Sequence, residues 1–562
     1  MVLTLEELID RFAFGDVSKT FDTPALLLRI GPERAHRSLS YGELHRLSAG
    51  AARALRDRGC ASGERIALLM PHDHRLVVLF FGAIYAGFVP CIIAWPTAKM
   101  DREKYRRNLH GVVAGLGADW IVTEHTMATE LGETLGRTRV LDSVALTERV
   151  EDERVASAPC IGPADPFFIQ FSGGTTGTQK SVPISAAKLF EQLSAYARVL
   201  EIGSGDRIIS WLPLYHDMGL VACLLLPFVY RLPVIMFAPM EWVMNPTQFL
   251  DSIGRDEATV CWLPNFAFSF MARKVRPEAA FDFSTLRSVI NCSEPVRAES
   301  MDAFATRFGS AGLRREALHT CYAMAEATFA VTQTTESEPP LRMNVSRAAL
   351  GQGRVEPTAN GERVLVSCGR PIPGIEARII DETGTCENGA IGEIQLKGVF
   401  VMDDYLPSTD RCARWAFTED GWFRTGDLGA WLDAHLFVTG RKKDVIIVGG
   451  VNIFPEDLEA AVGEIESIHP GRVVSMGLDD EDLGTEKLVI AAEVNEQSDL
   501  DRADELETAV RRTVLAVCGV APSWVFIVPP RWIVKSTAGK ISRVETRARV
   551  LERWTQLTER DA

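Results

Sequence analysis

"FSGGTTGTQKS", residues 171–181, decides how the rest of the chain is read. Gly173, Gly174 and Gly177 let backbone N–H groups converge, Ser172, Thr175 and Thr176 offer hydroxyls, and Lys180 supplies a cation. These are the ingredients of a phosphate-holding loop. A solvated Gly/Thr turn has the same composition, so the loop alone leaves both readings open. It is not the GxxxxGK[ST] nucleotide loop, because Thr178 and Gln179 separate Gly177 from Lys180. The apolar run "PFFIQF" (166–171) leads into it, and loops leaving buried strands are where α/β folds place ligands.

Outward from the loop, residues 40–440 alternate helical periodicity with short apolar strands, the pattern of an α/β fold with largely parallel sheets. "GERIALLM" (63–70), "PCIIAW" (90–95), "ATVCWLP" (258–264) and "LRSVIN" (286–291) read as strands, and 76–88, 265–275 and 296–309 as helices. From about 365 to 440 the strands are separated by tight turns, which predicts a smaller, antiparallel, β-rich part; residues 337–363, rich in Pro, Gly, Asn and Arg, read as a loop insertion ahead of it. The last stretch repeats an α+β alternation. The division expected is therefore a large N-terminal domain, 1–440, and a C-terminal α+β domain, 441–562, with the boundary at "GRKKD".

With 562 residues the chain exceeds what one hydrophobic core holds. Its 46% hydrophobic and 24% charged residues are those of a globular protein. A net charge of −15 with scattered basic residues argues against a nucleic-acid or anionic-membrane surface. Eleven cysteines without a CxxC pair or zinc spacing suit reduced thiols and a cytoplasmic location. The opening "MVLTLEELIDRFAF" is acidic where a signal peptide is basic and reads as an amphipathic helix. Pro227, Arg231 and Pro233 interrupt the longest apolar region, 220–240, so no membrane span is expected there.

The loop resembles the signature of the adenylate-forming superfamily of acyl-CoA synthetases, peptide-synthetase adenylation domains and luciferases. Six further stretches match in the same order: "WLPLYHDMG" (211–219), "NCSEP" (291–295), "YAMAEAT" (322–328), "GWFRTGDLG" (421–429), "GRKKDVIIVGGVNIFPEDLE" (440–459) and "KSTAGKISR" (535–543). The resemblance implies ATP and Mg²⁺ as cofactors, with the loop on the β- and γ-phosphates through Thr175, Thr176 and Lys180. It implies that Glu326 holds Mg²⁺, a hard ion suited to carboxylate oxygen, and that Asp427 accepts the ribose hydroxyls. Tyr322 would stack on adenine opposite the backbone of Ser293, Glu294 and Pro295, and Arg441 would contact the ribose and phosphate region. Lys540 would stabilise charge as the carboxylate attacks and pyrophosphate leaves. His216 would border the acyl pocket, and Lys443 would mark the hinge about which a mobile C-terminal domain rotates between half-reactions. Read one by one, each of these residues is also an ordinary surface, turn or core residue.

The segments "GLVACLLLPF" and "WLPNFAFSF" are apolar and suit an uncharged acyl tail. "FDFS" (281–284) lies too late in the chain to hold an amino-acid ammonium, so Asp282 reads as structural. "WLPLYHDMGLV", "PNFAF", "SEPVRAE", "AMAEAT" and "ALGQGRVEP" resemble the fatty acyl-AMP ligases most, and 337–363 falls where those ligases carry an insertion. "GGVNIFPEDLE" is closer to acyl-CoA ligases, while Gln179 and Ser181 depart from the usual Pro and Gly of the loop. The expected reaction is ATP-dependent formation of acyl-AMP, with transfer to the phosphopantetheine thiol of a carrier protein; coenzyme A is the alternative acceptor, and an aryl-acid ligase or a nucleotide-binding homologue without turnover are the further alternatives. The residues after Lys540 are too few for a carrier domain, so the acyl carrier protein is expected in trans.

Overall fold

The computed structural model describes residues 22–30, 35–96, 102–147, 162–172, 180–275, 281–359, 361, 363–382, 384–406, 416–449, 451–480, 485–535 and 541–558. The N-terminal helix expected in "MVLTLEELIDRFAF", the loop 173–179 and Lys540 lie outside these residues.

Short, continuously apolar strands such as Arg65–Leu69 and Val260–Leu263 are covered on both faces, so they assemble in parallel. A seven-stranded sheet runs in the order Thr134–Leu135, Thr138–Asp142, Trp120–Thr123, Arg65–Leu69, Val89–Ile92, Pro166–Ser172, Lys180–Ser185. Its inner pairs are parallel and its two end pairs antiparallel. A nine-stranded sheet runs Arg370–Pro371, Ala330–Gln333, Leu318–Ala323, Ser288–Asn291, Val260–Leu263, Ile208–Ser210, Val234–Phe237, Pro24–Ile30, Ala35–Ser40. From Leu318–Ala323 to Pro24–Ile30 every neighbouring pair is parallel.

Helices between the sheets weld them into one core. The helix His74–Ala86 starts at Asp73, whose side chain accepts from Arg75 N, and stops at Gly87, φ 87°. Between those caps it is buried from Leu76 through Ala86. Phe81 stacks on Phe228 with ring centroids 4.1 Å apart, one contact joining the two sheets' layers. Truncating such a ring to alanine costs about 3–5 kcal/mol. The apolar region 220–240 is not a span: the π-helix Met218–Leu225 and the helix Leu226–Tyr230 are buried throughout in this core. Among the described residues no helix is long and apolar enough to cross a membrane, and every cysteine is a free thiol.

The antiparallel part has five strands in the order Gly384–Thr385, Ile375–Asp381, Gly392–Gly398, Phe423–Leu432, His435–Arg441. Residues 337–363 are more than a loop: they contain the strand Arg342–Val345, paired with Arg363–Val366, and the helix Arg347–Gly351. Val345, Leu350 and Val355, spaced singly through a polar stretch, bury against Phe437 and Phe454. That spacing hid them from a composition-based reading.

From Ile446 onward the chain builds clusters of its own around the strands Ile468–Asp480, Thr485–Val494 and Trp524–Val528 and the helix Ala503–Cys518. Its polar anchor is Arg543, which grips Glu459 with two donors, Nη2 at 2.9 Å from Oε2 and Nη1 at 2.5 Å from Oε1. Arg297 donates to the Glu456 carbonyl at 2.8 Å and Arg363 pairs with Asp457 at 2.7 Å, tying the start of the helix Pro455–Val462 to earlier parts of the chain.

Candidate active site

Four consecutive parallel strands of the large sheet end on the same edge: Leu318–Ala323, Ser288–Asn291, Val260–Leu263 and Ile208–Ser210. The segments leaving them carry Glu326, Ser293, Phe266 and His216 in turn. Carboxyl ends of parallel strands are where open α/β sheets bind ligands, because side chains and backbone groups there escape the ladder.

Beside that edge lies an acceptor seat built by the antiparallel sheet. Gly426, at φ 72°, bends the strand in a left-handed conformation that only glycine adopts freely, and Asp427 follows, its amide donating to Thr425 Oγ1 at 3.0 Å. Asp427 is buried, pairs in register with Arg441 on the next strand, and sits 2.9 Å from the Arg441 Nε. The Tyr322 hydroxyl donates to its other oxygen at 2.7 Å. An ionised carboxylate has about four acceptor sites, so this one still has room for further donors such as vicinal hydroxyls. Burial pushes the Tyr322 phenol well above its ordinary value, with the Asp427 charge adding to it, so Tyr322 stays a neutral donor.

The second half is a carboxylate, an aromatic ring and a cation. Glu326 occupies the single turn Ala325–Ala327 and receives the Tyr405 hydroxyl on Oε1 at 2.8 Å. The Lys180 ammonium stands over the Tyr405 ring, 4.6 Å from its centroid. Lys180 opens the strand Lys180–Ser185 and pairs in register with Ser172, so the two residues that flank 173–179 are held side by side. Burial raises the Glu326 pKa; Tyr405 opposes that, and the Asp217 charge adds to it.

The third part starts the π-helix. His216 Nδ1 lies 2.5 Å from Asp217 Oδ1, and Met218 N donates to the same carboxylate oxygen at 2.7 Å. With Nδ1 against Asp217, Nε2 is the nitrogen left to meet a ligand. Gly219 is required by packing: a Cβ there would stand 2.3 Å from the Pro213 carbonyl oxygen. Ser293, at φ 71°, turns its hydroxyl toward Met218 Sδ, 3.6 Å away.

The expected adenine-side residues separate into different roles. Glu294 accepts from Phe266 N at 3.0 Å, so its carboxylate secures the start of the helix Asn265–Lys274, and Pro295 is exposed. Asp282 accepts from Ser284 N at 2.9 Å, the structural turn expected of it. Lys443 is exposed in the turn where Asp444 N donates to the Arg441 carbonyl at 3.0 Å. Gly173, Gly174, Thr175, Thr176, Gly177 and Lys540 lie outside the described residues. Tyr405 and Asp217 were missed by the sequence reading: Tyr405 meets Glu326 across 79 residues, and "DDYLP" carries no spacing that signals it.

A divalent ion fits this donor set in one way. Among the described residues no group of three or more His, Cys, Asp or Glu could hold a metal, and the side chain that hydrogen-bonds the Glu326 carboxylate is that of Tyr405. A single carboxylate plus phosphate oxygens and water is the manner in which Mg²⁺ is bound with nucleotides.

Comparison with known proteins agrees with this geometry. The sequence profile of the AMP-binding enzyme family matches residues 15–406. The chain belongs to that family and is an adenylate-forming ligase. A Caulobacter vibrioides protein classed as an acyl-CoA synthetase is 31% identical, covering 92% of this chain and 90% of its own. The medium-chain-fatty-acid–[acyl-carrier-protein] ligase JamA of Moorena producens is 29% identical, covering 92% and 91%. A solved structure from work on fatty acyl-adenylate ligases of E. coli and L. pneumophila superposes with a TM-score of 0.86 at 26% identity, covering 99% of both chains.

Proposed function

We propose that this protein activates a fatty acid with ATP, forming acyl-AMP and pyrophosphate, and passes the acyl group to the phosphopantetheine thiol of a separate carrier protein. The observation that carries the reading is the pairing of the Tyr322–Asp427–Arg441 acceptor seat with the Glu326–Tyr405–Lys180 cluster. The first offers a buried carboxylate for ribose hydroxyls, with the Arg441 cation beside it. The second offers an ammonium for phosphate and a carboxylate for Mg²⁺, which when bound neutralises charge on the phosphate oxygens.

In this reading the substrate carboxylate approaches the α-phosphorus past His216, whose ring Asp217 orients through Nδ1. The buried, wholly apolar π-helix Met218–Leu225 excludes water from that approach, which strengthens every charge interaction there. Lys540, on the C-terminal domain 441–562, supplies positive charge where the oxygens gain negative charge. That domain then turns about Lys443 and admits the thiol. The protein acts in the cytoplasm.

The second reading, transfer to coenzyme A, rests on "GGVNIFPEDLE" and on the acyl-CoA synthetase relative. Radiolabelled fatty acid and ATP, supplied with either holo acyl carrier protein or coenzyme A, separate the two. Acyl carrier protein labelled in preference is the expected outcome. Efficient acyl-CoA formation overturns the choice of acceptor and leaves adenylation standing.

A further inference from the structure

Tyr405 belongs to none of the motifs that define the site, yet it touches two groups from different sheets. Its hydroxyl donates to Glu326 Oε1 at 2.8 Å, while its ring carries the Lys180 ammonium 4.6 Å from the centroid. The side chain is buried, as an ordinary core tyrosine's would be. Its backbone is stitched to the same two places. Met402 N donates to the Glu326 carbonyl at 2.8 Å, and Leu406 N to the Ser181 carbonyl at 2.9 Å. Lys188, near the start of the helix that follows the strand Lys180–Ser185, donates to the Val401 carbonyl at 2.6 Å. On the other side Thr328 Oγ1 donates to the Phe400 carbonyl at 2.9 Å. Residues 400–406 thus form a strap from the turn of Glu326 to the strand Lys180–Ser185 and the helix after it.

We propose that Tyr405 is a positioning residue that fixes the Glu326 carboxylate and the Lys180 ammonium relative to one another, so that metal and phosphate are received as a unit. This rests on the reading of the site given above. The two functions of the ring are chemically separable. The hydroxyl occupies one oxygen of Glu326 and fixes the carboxylate plane, leaving the other oxygen to a cation. The ring face attracts the ammonium by its quadrupole and restrains a long, flexible side chain that would otherwise lose rotamer freedom on meeting phosphate. A tyrosine serving only as core filling would tolerate phenylalanine at both tasks.

The test uses the full chain with Tyr405→Phe and Tyr405→Leu. Mn²⁺ binding is followed by electron paramagnetic resonance in the presence of AMP-PNP and in the absence of any fatty acid, so that no adenylation occurs, and metal-free ATP binding by calorimetry. Tyr405→Phe is expected to weaken Mn²⁺ binding about tenfold, the scale of one hydrogen bond to a charged group, and to leave metal-free ATP binding unchanged. Tyr405→Leu is expected to weaken Mn²⁺ equally and also to weaken metal-free ATP severalfold, with Tm in both variants read by calorimetry as a check on folding. Unchanged Mn²⁺ affinity in the folded phenylalanine variant overturns the proposal for the hydroxyl. Equal ATP affinity in the two variants overturns it for the ring. A parent protein that binds neither Mn²⁺ nor AMP-PNP overturns the proposal together with the site reading beneath it, an outcome distinguishable because it needs no variant.

Discussion

Substituting Gly219 by alanine tests whether the turn 211–217 and the π-helix act as one rigid piece. The added Cβ would lie 2.3 Å from the Pro213 oxygen, 2.9 Å from its carbonyl carbon and 3.0 Å from the Leu212 oxygen, all backbone atoms that cannot rotate away. Restoring ordinary contact at 3.4 Å takes a retreat of about 1 Å, a displacement that costs an active site on the order of 100-fold. The same retreat strains the bonds His216 N to Pro213 O, 3.1 Å, and Leu220 N to His216 O, 2.9 Å, which hold the histidine in place. Overpacking of this kind costs about 1–3 kcal/mol of stability, so the variant should still fold with a modest drop in Tm. The assay is acid-dependent exchange of labelled pyrophosphate into ATP, with ATP affinity measured separately. Exchange should fall on the order of 100-fold, while ATP affinity stays within about twofold because the Asp427 seat belongs to another sheet. Exchange within about threefold of the parent would refute the reasoning, since a movement of 1 Å beside His216 would then not matter.

Three further outcomes are expected. Asp427→Asn should raise the Kd for ATP about 10- to 100-fold, the worth of the charge-assisted bonds proposed from its carboxylate to the ribose hydroxyls. Lys540→Ala should lower pyrophosphate exchange by orders of magnitude while ATP binding, by calorimetry, stays nearly intact. Burial lowers the His319 pKa from 6.5 to about 4, so the folded protein resists a proton that the unfolded chain takes up. The stability it contributes is complete above about pH 6.5 and is lost as pH falls toward 4, by up to about 3 kcal/mol. A His319→Gln variant should show a shallower fall of Tm over that window.

The parallel core was legible because its strands are fully covered and therefore continuously apolar, and because Gly and Pro punctuate them. Asp427, Glu326 and Tyr322 stand out in the sequence because their motifs fix local turns, and the structure brings those turns to one edge; what they do toward ATP is the proposal. Tyr405 was not legible, since it acts through a partner that tertiary folding brings to it across 79 residues; Asp217 was overlooked although its partners His216 and Met218 are its neighbours, because no 3.6-residue pattern announces the π-helix it starts. The strand and helix within 337–363 went unread for a related reason, the buried Val345, Leu350 and Val355 being too far apart to form a periodic stripe. The Glu294 carboxylate accepts from the amide of Phe266, a side-chain role that its motif does not announce.

The proposed chemistry of this site is the joining of a fatty carboxylate to AMP. It is tested most directly by measuring pyrophosphate exchange into ATP with saturated fatty acids of graded length, aryl acids and amino acids, each as sole substrate. Exchange that depends on a fatty acid and on Mg²⁺, with amino acids inert, is the predicted result. Exchange supported by amino acids and not by any fatty acid would contradict it.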